Sequence, residues 1–148
     1  MRFVVLVVAL SAATAAFAQS SDPLRLKPGF WLVQQYVGGL TTATEYHACV
    51  DRDTNYMVQE EEGCTKPTVK REGASFVAES VCPAQGGGKA FQRFVITGSF
   101  DAYTERKTTT FRPPVGGITI AGETVEWRWI GATCKPGMKL GDVEMIRK

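Results

Sequence analysis

Thr68-Val69-Lys70-Arg71-Glu72-Gly73-Ala74-Ser75-Phe76-Val77 is the stretch whose reading decides the fold. Two short runs containing β-branched and aromatic residues flank Glu72-Gly73, and glycine enters the positive-φ positions of a tight hairpin without steric cost. Cys64 and Cys82 each stand nine residues from Gly73. A hairpin closed there brings the two cysteines nearly opposite one another, within disulfide reach. Cys49 and Cys134 are left to pair, which ties the second strand to the last. Four cysteines permit three connectivities, and the hairpin favours this one without excluding the others.

Outward from the hairpin the pattern is again that of strands. Pro28-Gly29 is a turn signal, and Phe30-Trp31-Leu32-Val33 opens a strand ended by Gly38-Gly39. Thr41 to Val50 is rich in threonine, aromatic and β-branched residues and reads as the second strand. Asp51 to Gly63 reads as a turn or one short helix. Phe91 to Phe100 and Tyr103 to Phe111 form two long strands around Asp101-Ala102; Thr104, Arg106, Thr108 and Thr110 share one wet face of the second. Arg112-Pro113-Pro114 and Gly116-Gly117 predict a break, and Gly122-Glu123 a turn after a short strand from Ile118. From Thr124 to Ile130, Val125, Trp127 and Trp129 alternate cleanly with Glu126 and Arg128. About eight short strands with glycine-rich turns predict an all-β domain. The expected form is an antiparallel meander, barrel-like or strongly curled and stapled by two disulfides, with a β-sandwich as the alternative.

The N-terminus has the pattern of an export signal. Arg2 precedes an apolar run from Phe3, and Ala16-Phe17-Ala18 places small residues before an expected cleavage between Ala18 and Gln19. The run is shorter than the ~20 residues a membrane-spanning helix needs. Residues 1–18 are therefore expected to be a cleaved signal, 19–134 one stapled β domain, and 135–148 a polar, mobile tail. The expected location is periplasmic or secreted, where four cysteines read first as disulfides. The net charge of +2 for 148 residues falls to +1 without Arg2. So small a charge does not advertise nucleic acid as a partner, and stable membrane insertion is not expected.

Few residues carry recognisable chemistry. The cysteines contain no C-x₂-C pair, which argues against a metal site. His47 is the single histidine, which limits both metal centres and hydrolytic triads. Asp51, Asp53 and Asn55 approach a calcium loop, but Tyr56 stands where the loop requires glycine. Gly86-Gly87-Gly88-Lys89 lacks the strand–loop–helix context of a phosphate loop and reads as a hairpin connection. Glu60-Glu61-Glu62 reads as a solvated acidic face. Trp31, Trp127 and Trp129 are candidates for the wall of a ligand pocket, set against their commoner use as core.

Pro28-Gly29-Phe30-Trp31, Cys49, the central pair Cys64 and Cys82, and the closing Gly131-Ala132-Thr133-Cys134 resemble the small exported bacterial proteins catalogued as domain of unknown function 3617. The resemblance runs from about Leu26 to Cys134. It implies a bacterial source and an extracytoplasmic location, and carries over no catalytic or binding residues. This chain departs from the pattern by the residues after Cys134. The expected function is a non-enzymatic binding domain, without cofactor, for a small apolar ligand or an envelope protein. The alternatives are an inhibitor or interaction module using an exposed loop, such as Cys82 to Phe91 or the tail, and a hydrolase using Asp or Glu.

Overall fold

The computed structural model describes residues 25–52, 58, 60–99 and 101–146. The expected signal, its cleavage point at Ala18–Gln19, and Asp53, Asn55 and Tyr56 of the calcium-like stretch lie outside these residues. Eight strands follow in order: β1 (Gly29–Val37), β2 (Thr44–Val50), β3 (Thr68–Glu72), β4 (Ser75–Pro83), β5 (Lys89–Ser99), β6 (Ala102–Val115), β7 (Ile118–Gly131) and β8 (Val143–Met145). A single 3₁₀ turn, Gln85–Gly87, is the helical element among the described residues; it connects β4 to β5 where the glycine run predicts a hairpin loop.

All neighbours are antiparallel, in the order β3-β4-β5-β6-β7-β1-β2-β8. Strands β3 to β7 form the expected meander, and the β1–β2 hairpin is added at the β7 edge. The sheet is open, neither a closed barrel nor a sandwich. The Cys49–Cys134 disulfide does not close a seam. It runs from β2 to the chain just past β7, and only β1 lies between those strands. Both exposed edges are protected in ways that resist strand addition: β3 carries Lys70 and Arg71, and β8 is three residues long.

The Gly73 hairpin forms as expected, with the turn on Gly73-Ala74 and Glu72 paired to Ser75. Gly73 takes a φ of 61°, where side chains other than glycine are rare. Thr65 continues the pairing by bonding both backbone groups of Val81. Cys64 and Cys82 are thereby brought together and bonded, as are Cys49 and Cys134.

The break predicted over Arg112 to Gly117 is present only at its glycines, between β6 and β7; the turn at Gly122-Glu123 is absent, and the eighth strand lies elsewhere. β6 runs through Pro113 and Pro114, because its pairing with β5 ends at Arg112 and its pairing with β7 is irregular between Thr110 and Val115, so neither ladder requires their N–H groups. β7 runs through Gly122, which pairs with Thr108 and accepts a hydrogen bond from the Gly38 N–H. The segment after Cys134, read above as a mobile tail, returns to β2. Gly141 and Asp142 bond the backbone of Cys49, and Val143–Met145 pairs with Ala48–Tyr46.

Register places Trp31 and Val33, Ala48 and Val50, Trp127 and Trp129, Tyr103, Ile96 and Phe76 on one face, termed the inner face. These side chains form the main apolar cluster, joined by Leu26 and Val58. Trp31 is 0% exposed and Ile96 1%. With no second layer among the described residues, a face this dry requires the sheet to coil around it, which the twist of an eight-stranded sheet favours.

Candidate functional site

Strand β6 differs from its neighbours in carrying polar residues on both faces. Its outer face holds Thr104, Arg106, Thr108 and Thr110, as the alternation predicts. Its inner face holds Tyr103, Glu105 and Lys107 between the apolar rows of β5 and β7. An acid and a base are thus delivered into the interior of the coil, and the structure surrounds them with two separate hydrogen-bond networks.

The first network crosses β2, β1 and β7. The Tyr46 hydroxyl donates to Gln35 Oε1 at 3.1 Å, and Gln35 Nε2 donates to Glu123 Oε1. The second crosses β4 to β6 and engages the β2–β3 connection. Ser80 Oγ donates to Gln92 Oε1 at 3.2 Å, Gln92 Nε2 donates to Glu61 Oε2 at 3.3 Å, and Lys107 Nζ donates to Glu61 Oε1 at 3.3 Å. The Lys107 ammonium also lies 5.1 Å from the Phe94 ring centre. Glu61 is exposed, as its run of glutamates predicts, yet it is not idle. Its carboxylate ties the connection to the inner face, beside the Cys64–Cys82 disulfide.

Glu105 stands between the two networks and belongs to neither. It pairs across strands with Ile96 on one side and Val125 on the other, and is 9% exposed. Burial, then the neighbouring Glu123 carboxylate, raise its pKa from 4.5 to about 7, against a smaller opposing pull from Lys107. On the adjacent strand the Trp127 Nε1–H is likewise buried, with no hydrogen-bond partner. Among the described residues the Trp127 indole N–H is the one buried side-chain polar atom without a partner, an exception to the pairing usual in a folded protein. A cleft of about 670 Å³ lies mainly on the opposite, outer face, lined by Tyr36, Arg106, Thr108, Thr124 and Glu126, and Glu105 and Trp127 are not among its lining.

A pH dependence follows. Folded Glu105 holds its proton more tightly than the unfolded chain does. Its contribution to stability is fully present below about pH 4.5 and is lost as pH rises through about 7, a span worth about 3 kcal/mol. Glu105→Gln is expected to remove that term. Urea midpoints across this window should show the variant gaining on the parent as pH rises; parallel pH profiles would contradict the assignment.

The three tryptophans named above part company. Trp31 is core, its N–H donating to the Lys27 carbonyl at 2.8 Å and its ring packed edge-on against Trp127 at 6.4 Å. Trp129 donates to the Pro28 carbonyl at 3.2 Å, and Lys27 Nζ lies 3.4 Å from its ring centre. Trp127 alone of the three has a buried polar atom without a partner. His47 lies on the outer face against Phe30, ring centres 4.8 Å apart, remote from the inner-face networks. Cys64 and Cys82 lie near Glu61, but both sulfurs are held in their disulfide. Sequence reasoning missed Glu105, Glu123 and Lys107. The available signal was β6 itself: once the threonine and arginine face was assigned to solvent, a tyrosine, an acid and a base remained for the side turned to the core.

The profile of a protein family described as protein of unknown function (DUF3617) matches residues 26–134. No curated protein and no solved structure matches the chain. The matched span ends at Cys134, so β8 lies beyond it.

Proposed function

The chain belongs to the DUF3617 family, described as being of unknown function, and from that premise we propose that it is an exported binding domain whose inner face holds a small apolar ligand. The observation that carries the reading is the polar character set into the aromatic and aliphatic inner face, the buried Trp127 Nε1–H without a partner and the 9% exposed Glu105. Small-molecule sites combine mostly apolar walls with a few polar groups that orient the ligand, and the inner face around Trp127 has that composition. Export is supported by the two disulfides, which persist in oxidising compartments. Among the described residues no helix is long and apolar enough to cross a membrane. The exposed-loop alternative loses the tail as a free element, because β8 pairs with β2.

Native mass spectrometry of protein purified from its own host tests the reading. A bound small molecule, released on denaturation and recovered in organic extract, is expected. Protein that carries nothing, and whose tryptophan fluorescence is unmoved by any apolar compound in a screen, would refute it.

The hydrolase reading also gains one specific observation. Glu105 and Glu123 are neighbouring carboxyl groups in different environments, the arrangement that separates a general acid from an ionised partner. Turnover of chromogenic glycosides, lost in both Glu105→Gln and Glu123→Gln, would establish it; absence of turnover would dismiss it for that substrate class.

A further inference from the structure

The outer face carries a further cleft, over β3 to β6, and what it binds is independent of the inner-face reading above. Its volume is about 730 Å³, within the range of small-molecule sites. Register arranges its floor as two parallel rows of side chains. Thr68 pairs with Glu79, Glu79 with Arg93, and Arg93 with Thr108, so one polar row crosses four strands. Neighbouring strands lie about 4.8 Å apart, which makes this row about 14 Å long. Two residues along, Val81 pairs with Phe91 and Phe91 with Thr110, an apolar row that ends in a hydroxyl. Phe91 is 38% exposed and lines the cleft, so ring surface is open to it. The charges of the polar row are satisfied within the protein. Arg93 lies 3.5 Å from Glu79 and 3.2 Å from Glu72, which pairs in turn with Lys70 at 3.0 Å. These two acids and two bases leave no net charge to attract an ion. Lys89 and Arg112 form the next row beyond Phe91, where the Arg112 guanidinium stands 5.4 Å from the ring centre, but neither lines the cleft. Among the described residues nothing holds the hydroxyls of Thr68, Thr108 and Thr110, which are left to solvent or a ligand.

We propose that this outer-face cleft binds a neutral saccharide, with a sugar ring seated on Phe91 and its hydroxyls directed at the row from Thr68 to Thr108. A pyranose carries C–H groups on one side and hydroxyls around its rim. The C–H side meets the Phe91 ring and the methyl groups of Val81. The hydroxyls meet Thr68, Thr108 and Thr110 and the free positions of Glu79 and Arg93. A carboxylate and a guanidinium each offer several bonding positions, so both retain capacity for a ligand hydroxyl while paired with one another. An ionic ligand would have to compete with that pair for its partner, whereas a polyol bonds to it intact. The threonine face of β6, which the sequence assigns to solvent, supplies two of the hydroxyls. The length of the polar row accommodates more than one ring.

Nuclear magnetic resonance titration of the isotope-labelled protein tests this, with cellobiose, maltose, diacetylchitobiose and the acidic digalacturonate as probes. At least one neutral disaccharide is expected to bind with a dissociation constant of about 1 mM or tighter, shifting the amides of Glu79, Phe91, Arg93 and Thr110. Phe91→Ala and Phe91→Leu should each weaken it about fivefold or more, the second keeping apolar bulk while losing the flat ring. Thr108→Val, which removes a hydroxyl at nearly constant volume, should weaken it about threefold. Phe91 and Thr108 lie outside the main apolar cluster, so loss of folding does not confound these variants. No shift from any neutral probe at about 20 mM would overturn the proposal. So would shifts confined to the inner face, digalacturonate binding more tightly than every neutral probe, or an affinity unchanged in both Phe91 variants. The inner-face reading stands or falls separately, on apolar compounds.

Discussion

Trp31→Ala is expected to lower the stability of the protein by about 3–5 kcal/mol. Trp31 is 0% exposed and lies on the central strand of the apolar cluster, directly opposite Ala48 on β2 and Trp129 on β7. Truncation removes one of the largest apolar surfaces in the core and opens a cavity. That cavity is bounded by Trp127 and Tyr103, whose ring centres lie 6.4 and 6.1 Å from that of Trp31. These rings are held by the ladders of β6 and β7 and cannot collapse into the space. The Lys27 carbonyl also loses the indole N–H that it accepts at 2.8 Å. Against the 5–15 kcal/mol typical of a whole domain, the loss is a large fraction. Urea unfolding followed by far-ultraviolet circular dichroism measures it. Trp31→Phe, which keeps most of the packing and loses only the donor, should cost markedly less. Equal midpoints for the parent and Trp31→Ala would show that this tryptophan is not the centre of the core.

Removal of the Cys49–Cys134 disulfide is the second large effect. Its partners are 85 residues apart, against 18 for Cys64–Cys82. Restriction of the unfolded chain scales with the logarithm of the loop, which gives about 4.6 kcal/mol for the long tie and about 3.2 kcal/mol for the local one. The long tie also sits where the C-terminal segment meets the sheet: Cys49 bonds Asp142 and Gly141 through its backbone, and β8 follows directly. The double variant Cys49→Ser, Cys134→Ser should therefore melt at a lower temperature than Cys64→Ser, Cys82→Ser. It should also expose the amides of Val143–Met145 to faster hydrogen exchange. Calorimetry with and without reductant measures the combined effect. A melting temperature indifferent to reductant, or a smaller loss from the long tie than from the short one, would contradict this account.

The strands were legible because each rests on local chemistry. Glycine at a turn, alternation from Thr124 to Ile130, and β-branched runs act over a few residues. The hairpin on Gly73 even made the Cys64–Cys82 pairing readable, since equal distances from one turn become proximity in an antiparallel pair. The errors arose where a residue's local preference yielded to what its neighbours required. Pro113 and Pro114 break a strand only when a partner needs their N–H groups; β5 has ended before them, and the β7 ladder is interrupted between Thr110 and Val115. Val143–Met145 has little intrinsic claim to be a strand, but the edge of β2 offers it backbone partners.

The candidate site was less legible, for a related reason. Gln35 and Glu123 are 88 residues apart, and Glu61 and Lys107 are 46 apart. Neither pairing can be inferred until the strand order and the path of the β2–β3 connection are known. By itself the sequence determined the strand class and the Gly73 hairpin, both governed by short-range geometry, and favoured the cysteine pairing that the hairpin implies. Only the tertiary structure decided that the sheet stays open, that the last residues complete its edge, and that Glu105 lies buried between two networks beside Glu123. Those outcomes depend on register and coiling, which bring together side chains that no local pattern connects.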